Sequence, residues 1–417
     1  MIMSQKKTAA VGFIFVTLLI DVIGFGLIVP VAPRLISQLM NVDVNTASTY
    51  GSMLMFAYAF VQFICAPLIG SFSDKYGRRP VLLLALLGFG IDYVFMALAP
   101  TYSWLFVGRV IAGITGASAT TCFAYIADVS TAENRAKNFG MVGAAFGLGF
   151  VVGPLMGGLL GQYGVRIPFY VAACLSLLNF CYGYFVLPES LPIEKRRNFD
   201  WKKANPLSSL LRLKNYKGIG ALLISVTLVY LSAHAVQSNW SYYTMFRFQW
   251  SEKMVGISLA VVGVLVAIVQ GGLTRFINPR LGNEKSIYSG LLLYTIGMSL
   301  FAIAGQGWMM FIFLIPYCCG GIAQPALQAA MAENVPANQQ GELQGALASL
   351  QSANMIIGPL LMNNLFYFFS HDKAPVYLPA APFIFGALCL LIAFIVAYKS
   401  LRLKLRNKAA NEAAIPA

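Results

Sequence analysis

The sequence predicts an all-α membrane protein with twelve transmembrane helices in two six-helix, pseudo-symmetric halves. Three observations carry this. The 417 residues are 58% hydrophobic and only 11% charged, against about 25% charged in an ordinary soluble domain. Apolar runs of roughly 18–25 residues follow one another, each long enough to cross a hydrocarbon layer of about 30 Å. The second half of the chain also repeats the first. Stretch 127–140 aligns with 332–345, Gly153–Pro154 with Gly358–Pro359 and Gly77 with Gly282, all at one offset, which is the signature of duplication. No run shows the short period-2 alternation of a membrane β-barrel.

Polar punctuation places the spans near 11–39, 48–69, 81–98, 104–126, 139–160, 168–187, 218–245, 254–275, 286–304, 309–332, 341–369 and 379–398. The first begins after Lys6 and Lys7 and could mimic a signal peptide. It is too long and lacks a small-residue cleavage site, so it is expected to be retained. The longest polar stretch follows span six. The expected organisation is therefore a first bundle over 1–188, a cytoplasmic linker over 189–217, and a second bundle with its tail over 218–417.

The net charge of +14 would suit a nucleic-acid partner if it formed one surface, but it does not. Lys and Arg crowd the loops on the side of the two termini. The opposite loops carry only Arg34, Arg166, Arg247, Lys253 and Lys373, and Arg109 lies within a span. The positive-inside rule then puts both termini in the cytoplasm of a multi-pass protein, with the inner membrane as the expected location. No nucleic-acid partner is expected, and a monomer is the expected state. Seven cysteines lie mostly inside apolar runs without metal spacing, and there are two histidines. No metal site is expected, nor a cofactor. No nucleophile–base pair appears and no P-loop, so the chain reads as a non-enzyme without its own nucleotide site.

Asp21 interrupts span one, Asp92 lies in span three and Arg109 in span four. At 1.5 Å per residue the two carboxylates lie roughly 15 and 17 Å from the terminal side, and Arg109 roughly 9 Å below the opposite end. All three thus share one slab. Charged residues at such depth are costly and face the protein interior or a water-filled path. One reading has both carboxylates holding Arg109. The other makes the second, unneutralised carboxylate a proton carrier, because desolvation favours the neutral form of an unpaired acid.

The loop after span two reads "GSFSDKYGRRP" (70–80). Gly70 and Ser73 permit close helix approach, Asp74 can meet a basic group or a helix N-terminus, and Arg78 and Arg79 can simply anchor topology. The second half keeps "RFINPRLGNEK" (275–285), with Pro279 where Asp74 would fall. Span five carries "GLGFVVGPLMGG" (147–158). Its glycines suit a tight helix contact, and Pro154 removes a backbone donor. Neutral polar residues mark the second half: His234, Gln237, Asn239, Trp240 and Tyr243 in span seven, Gln270 in span eight, Gln324 and Gln328 in span ten, Gln351 and Asn354 in span eleven. Such amides either bridge helices or line a polar cavity. Tyr58, Gln62, Tyr230, Gln237, Trp240, Gln324, Gln328, Gln351 and Asn354 are the candidate substrate contacts.

The Gly-x-x-x-Asp-x-x-Gly-Arg-Arg loop resembles the signature of the major facilitator superfamily. The Gly-Pro pattern of span five resembles the antiporter motif of its drug/proton exporters. Stretches 20–35, 61–100, 108–158 and 320–331 resemble the tetracycline/proton antiporters. That resemblance implies the major facilitator fold and export of a drug-like small molecule in exchange for protons, driven by the proton gradient through alternating access. It implies a gate at Gly70, Asp74, Gly77, Arg78, Arg79 and Asp128, an antiporter motif at Gly149, Gly153, Pro154, Gly157 and Gly158, and proton coupling at Asp21, Asp92 and Arg109. The family's acidic residue of span nine falls at Tyr294 and its span-eight histidine at Val266. A transporter of a physiological metabolite or chelator, moving inward or outward, is the alternative that this difference leaves open.

Overall fold

The computed structural model describes residues 2–116, 118–131, 133–197, 219–336 and 339–413. Most of the expected linker, from 198 to 217, lies outside them. The described residues are helical, without a strand. They form two compact units, Met1–Pro206 with Ser241–Gly263, and Leu207–Trp240 with Val264–Ala417.

In the first unit the helices are α1 (Ile2–Ile28), α2 (Ala32–Met40), α3 (Val44–Tyr76), α4 (Arg78–Leu98), α5 (Tyr102–Thr115), α6 (Ser118–Val129), α7 (Arg135–Gly161) and α8 (Ile167–Val186). The chain continues through α9 (Gly220–Gln237), α10 (Trp240–Phe248), α11 (Glu252–Ile268), α12 (Thr274–Ile303), α13 (Gly307–Cys319), α14 (Ala323–Ala332), α15 (Gln340–Ser370) and α16 (Ala381–Ala413).

Spans one, seven and ten are each broken into two helices. The causes are local. Pro30 has no N–H to continue α1, and Pro33 then starts α2 at a position where a missing donor costs nothing. Ser238 ends α9, with its Oγ donating to the His234 carbonyl at 2.6 Å. Pro316 precedes a tight turn over Gly320–Ile322.

Spans eight and nine follow each other without a loop over Glu252–Ile303, so among the described residues eleven separate stretches are long and apolar enough to cross a membrane. Within it Gly282 leaves helical geometry at φ 76°, ψ 168°, and that bend divides the two spans, consistent with twelve. Gly77, its counterpart in the repeat, stands between α3 and α4 at φ 104°, ψ 162°. Both lie in a backbone region open essentially to glycine alone. The duplicated glycine is thus a duplicated turn.

The first unit is held chiefly by α1 against α7. A Cβ on Gly149 or Gly153 would fall 2.7 Å from Val22 or 2.8 Å from the Ile23 carbonyl, and one on Gly157 would strike the Leu27 carbonyl. Backbone thus meets backbone, the packing that small residues allow inside a membrane. Beneath this contact Phe13, Ile14, Leu18, Leu82, Leu86, Tyr125 and Ile126 form a closed apolar core. Leu84, Leu178 and Phe185 face outward.

Candidate functional site

α4 and α5 bring Asp92 and Arg109 together. Asp92 is completely buried, and its Oδ2 accepts from Arg109 Nη2 in an ion pair. Gly108 makes room for this carboxylate, since a Cβ there would lie 2.8 Å from Asp92 Oδ1. The same guanidinium nitrogen lies 2.8 Å from Met96 Sδ, and the group sits over the Tyr58 ring at 5.9 Å. Gly113 and Gly116 let α5 close on α3. Their Cβ positions would meet the Tyr58 carbonyl and hydroxyl, each at 2.8 Å. Gln62 donates to the Gly116 carbonyl at 2.9 Å.

Asp21 stands apart from that pair. It is half-buried on α1, and among the described residues no hydrogen bond or ion pair reaches it. The three charges therefore sort into a neutral pair and a lone carboxylate.

At the start of α4, Arg78 gathers the gate residues. Its Nη1 lies 2.6 Å from Asp74 Oδ1 and 2.6 Å from Ser73 Oγ, and its Nε lies 3.2 Å from Asp128 Oδ2. Glu189, which no sequence signal singled out, completes the cluster. Its carboxylate accepts the backbone N–H of Arg78 at 2.8 Å and of Arg79 at 3.2 Å, two otherwise orphaned donors of the helix start. Arg79 turns to the Tyr184 carbonyl at 2.6 Å. A Cβ on Gly77 would strike Glu189 Oε2, while Gly70 faces open space.

The span-five glycines divide their work. Gly149, Gly153 and Gly157 receive α1, and Pro154 lies against Gly26. Gly158 instead receives the start of α11, its Cβ position 2.5 Å from the Glu252 carbonyl and 3.0 Å from Gly256 Cα. There Glu252, buried, accepts from Arg34 at 2.7 Å, a pairing with no signature in the sequence.

Of the candidate substrate contacts in the second unit, the structure brings three near one another: Tyr230, Gln324 and Gln328. Trp240 is instead a core residue, packed edge-on against Phe301 at 5.2 Å and Phe383 at 6.4 Å. Asn354 is buried and donates to the Leu350 carbonyl of its own helix at 2.8 Å, and Gln237 and Gln351 are exposed. Tyr294 stacks edge-on with Tyr317 at 5.3 Å. Among the described residues no three His, Cys, Asp or Glu side chains lie together as metal ligands.

The sequence profile of the Major Facilitator Superfamily matches residues 14–359 and 280–416. The chain belongs to the Major Facilitator Superfamily. Within this superfamily it is 41% identical over 362 residues to the class C tetracycline resistance protein of Escherichia coli, covering 87% of this chain and 91% of the relative. It is 39% identical to the class E protein of Escherichia coli, over 84% and 86%. Among solved superfamily structures it resembles the human organic anion transporter MFSD10 (TETRAN), with 25% identity, a TM-score of 0.70, and coverage of 94% and 99%. The chain is a multi-pass membrane transporter of the group that includes the tetracycline resistance proteins.

Proposed function

We infer that the protein exports a tetracycline-like drug in exchange for protons, by alternating access, from an inner membrane in which both termini face the cytoplasm. The observation that carries this is Asp21. It is a lone carboxylate on α1, apart from the Asp92–Arg109 ion pair, whose charges offset each other. A proton on Asp21 removes the one unbalanced charge of the slab, and a transporter is driven by a ligand that binds its two states unequally. The small-residue contact of α1 with α7 supports movement of α1 as a body with α7. No cofactor enters this scheme.

The test is tetracycline accumulation in proteoliposomes under an imposed pH gradient, with proton flux followed by an internal dye. Wild-type protein is expected to couple the two. Absence of accumulation across a drug panel would remove the export reading. One observation favours a second reading, transport of a metabolite or chelator. Tyr294, at the family's acidic position, is taken up in packing against Tyr317 and Gly320. Uptake of a physiological chelator with no drug protection would decide for it.

A further inference from the structure

The repeat and the packing disagree over one stretch of the chain. At the offset that aligns Gly77 with Gly282, α10 overlies α2, and the start of α11 overlies the start of α3. By sequence both belong to the second half. Yet Ser241–Gly263 packs as part of the first unit.

Four contacts hold this stretch. Ser241 Oγ donates to the Val29 carbonyl at 3.1 Å, which Pro33, four residues on, has no N–H to satisfy. A Cβ on Gly51 of α3 would strike the Tyr242 hydroxyl. A Cβ on Gly256 of α11 would strike the Pro154 carbonyl of α7 and lie 2.9 Å from Gly158 Cα. Arg34 of α2 pairs with Glu252 of α11 at 2.7 Å. All four gather where α1 and α7 end and where α3 and α11 begin, the end of α3 away from the gate loop.

Gly51 and Gly256 are one position of the repeat. Its two copies stand on opposite sides of this docking, one receiving Tyr242 and the other pressed to α7. Small residues let backbones meet closely, without interlocking side chains. The ion pair, by contrast, has no copy, since Arg34 falls on Asn239 and Glu252 on Ala47. The arginine side chain is 57% exposed and the glutamate 5%. If the contact opens, only the carboxylate changes its surroundings greatly. Flat glycine faces with one polar tie suit a contact that parts and re-forms.

We propose that this docking is the outer latch of the transporter, locked by Arg34 and Glu252, and that it parts when the protein opens outward. The proposal rests on the alternating-access reading and its orientation of the termini. Arg34 and Glu252 are then positioning residues that substrate need not touch. A contact shifts an equilibrium only by its difference between the states, and this one is made in the inward-facing state alone.

Charge reversal in the full chain tests it. Arg34→Glu and Glu252→Arg each set like charges together, and the double variant restores a pair of opposite polarity. In everted vesicles, where tetracycline meets the cytoplasmic face, each single variant should raise KM about fivefold as the inward-facing fraction falls. The double variant should bring it back within about twofold of wild type, and Glu252→Gln should shift it the same way by a smaller factor. A pair that only anchors the fold lowers the amount of transporter and leaves KM unchanged, a result that overturns the proposal. Thiol labelling supplies an arm without substrate. Ser241→Cys places a thiol inside the latch, at a residue 4% exposed. Gly70→Cys places one on the gate loop, where the space is open. Modification by a charged maleimide is read by peptide mass spectrometry, apart from the seven native cysteines. With either single reversal or Glu252→Gln, labelling should quicken at 241 and slow at 70, because opening one side closes the other. Labelling that quickens at both sites, or at neither, overturns the latch. This arm decides even if the wild type moves no tetracycline, an outcome that would instead sink the export reading.

Discussion

Arg34 Nη1 lies 2.7 Å from Glu252 Oε1, joining the first turns of α2 and α11 across 218 residues of sequence. The glutamate is the buried partner, its side chain 5% exposed against 57% for the arginine. Gly161 gives its stem room, with a Cβ position 3.3 Å from Glu252 Cβ. The carboxylate also opens a helix, where negative charge is favoured.

Removing the arginine leaves that carboxylate buried without its counter-charge. Arg34→Ala should destabilise the chain by about 1–3 kcal/mol, the low range because the arginine is itself half in solvent. Glu252→Gln keeps an acceptor at the same place and should cost less. Thermal unfolding of both single variants and the double variant gives the coupling. A coupling energy indistinguishable from zero would show that the pair holds nothing.

The two repeat-related glycines separate backbone strain from steric conflict. Gly77→Ala and Gly282→Ala both force a Cβ into a glycine-only conformation, costing about 1–3 kcal/mol each. At Gly77 the new methyl must also displace the Glu189 carboxylate, whereas at Gly282 it meets open space. Gly77→Ala should therefore lower the melting temperature more than Gly282→Ala. Equal losses would mean that the Glu189 contact yields freely.

Glu189 caps α4 through the N–H groups of Arg78 and Arg79. Glu189→Ala should cost about 1–2 kcal/mol, the range of a lost helix cap. Glu189→Gln, which still accepts one bond, should recover part of it. Hydrogen exchange at Arg78 and Arg79 checks the mechanism directly. Unchanged protection of both amides in Glu189→Ala would refute it.

Some of this was legible in the sequence. Apolar length and charge bias set the spans, because a membrane helix must bury its backbone and keep its charges at the ends. The repeated Gly77 and Gly282 announced the duplication, and the turn each makes came only with the structure. Asp92 and Arg109 could be placed at one depth by counting residues, but their pairing, to the exclusion of Asp21, depends on which helix faces which. Glu189 and Glu252 were not legible as parts of contacts. Each acts through a partner more than a hundred residues away, and nothing in local spacing encodes it. Trp240 shows the reverse failure. An aromatic residue among amides suggested a cavity wall, and it is instead the centre of a packed aromatic core with Phe301 and Phe383.

The lone and the paired carboxylate should respond oppositely to the same chemical change. Asp92→Asn leaves the buried Arg109 guanidinium, 12% exposed, without a counter-charge, a loss of about 3–5 kcal/mol when a buried pair is broken from one side. Asp21→Asn removes a charge that had no partner, so stability should hold or rise, since an unpaired buried charge is itself a cost. Transport should show the reverse ranking in specificity. Asp21→Asn is expected to keep tetracycline exchange while gradient-driven accumulation falls to the level of protein-free liposomes. Asp92→Asn should lower both together with the amount of folded protein. Melting temperature and the two transport modes, measured on one preparation, separate the roles. If Asp21→Asn melts as early as Asp92→Asn, then Asp21 is a structural partner in the folded state, and the proton must be carried elsewhere in the chain.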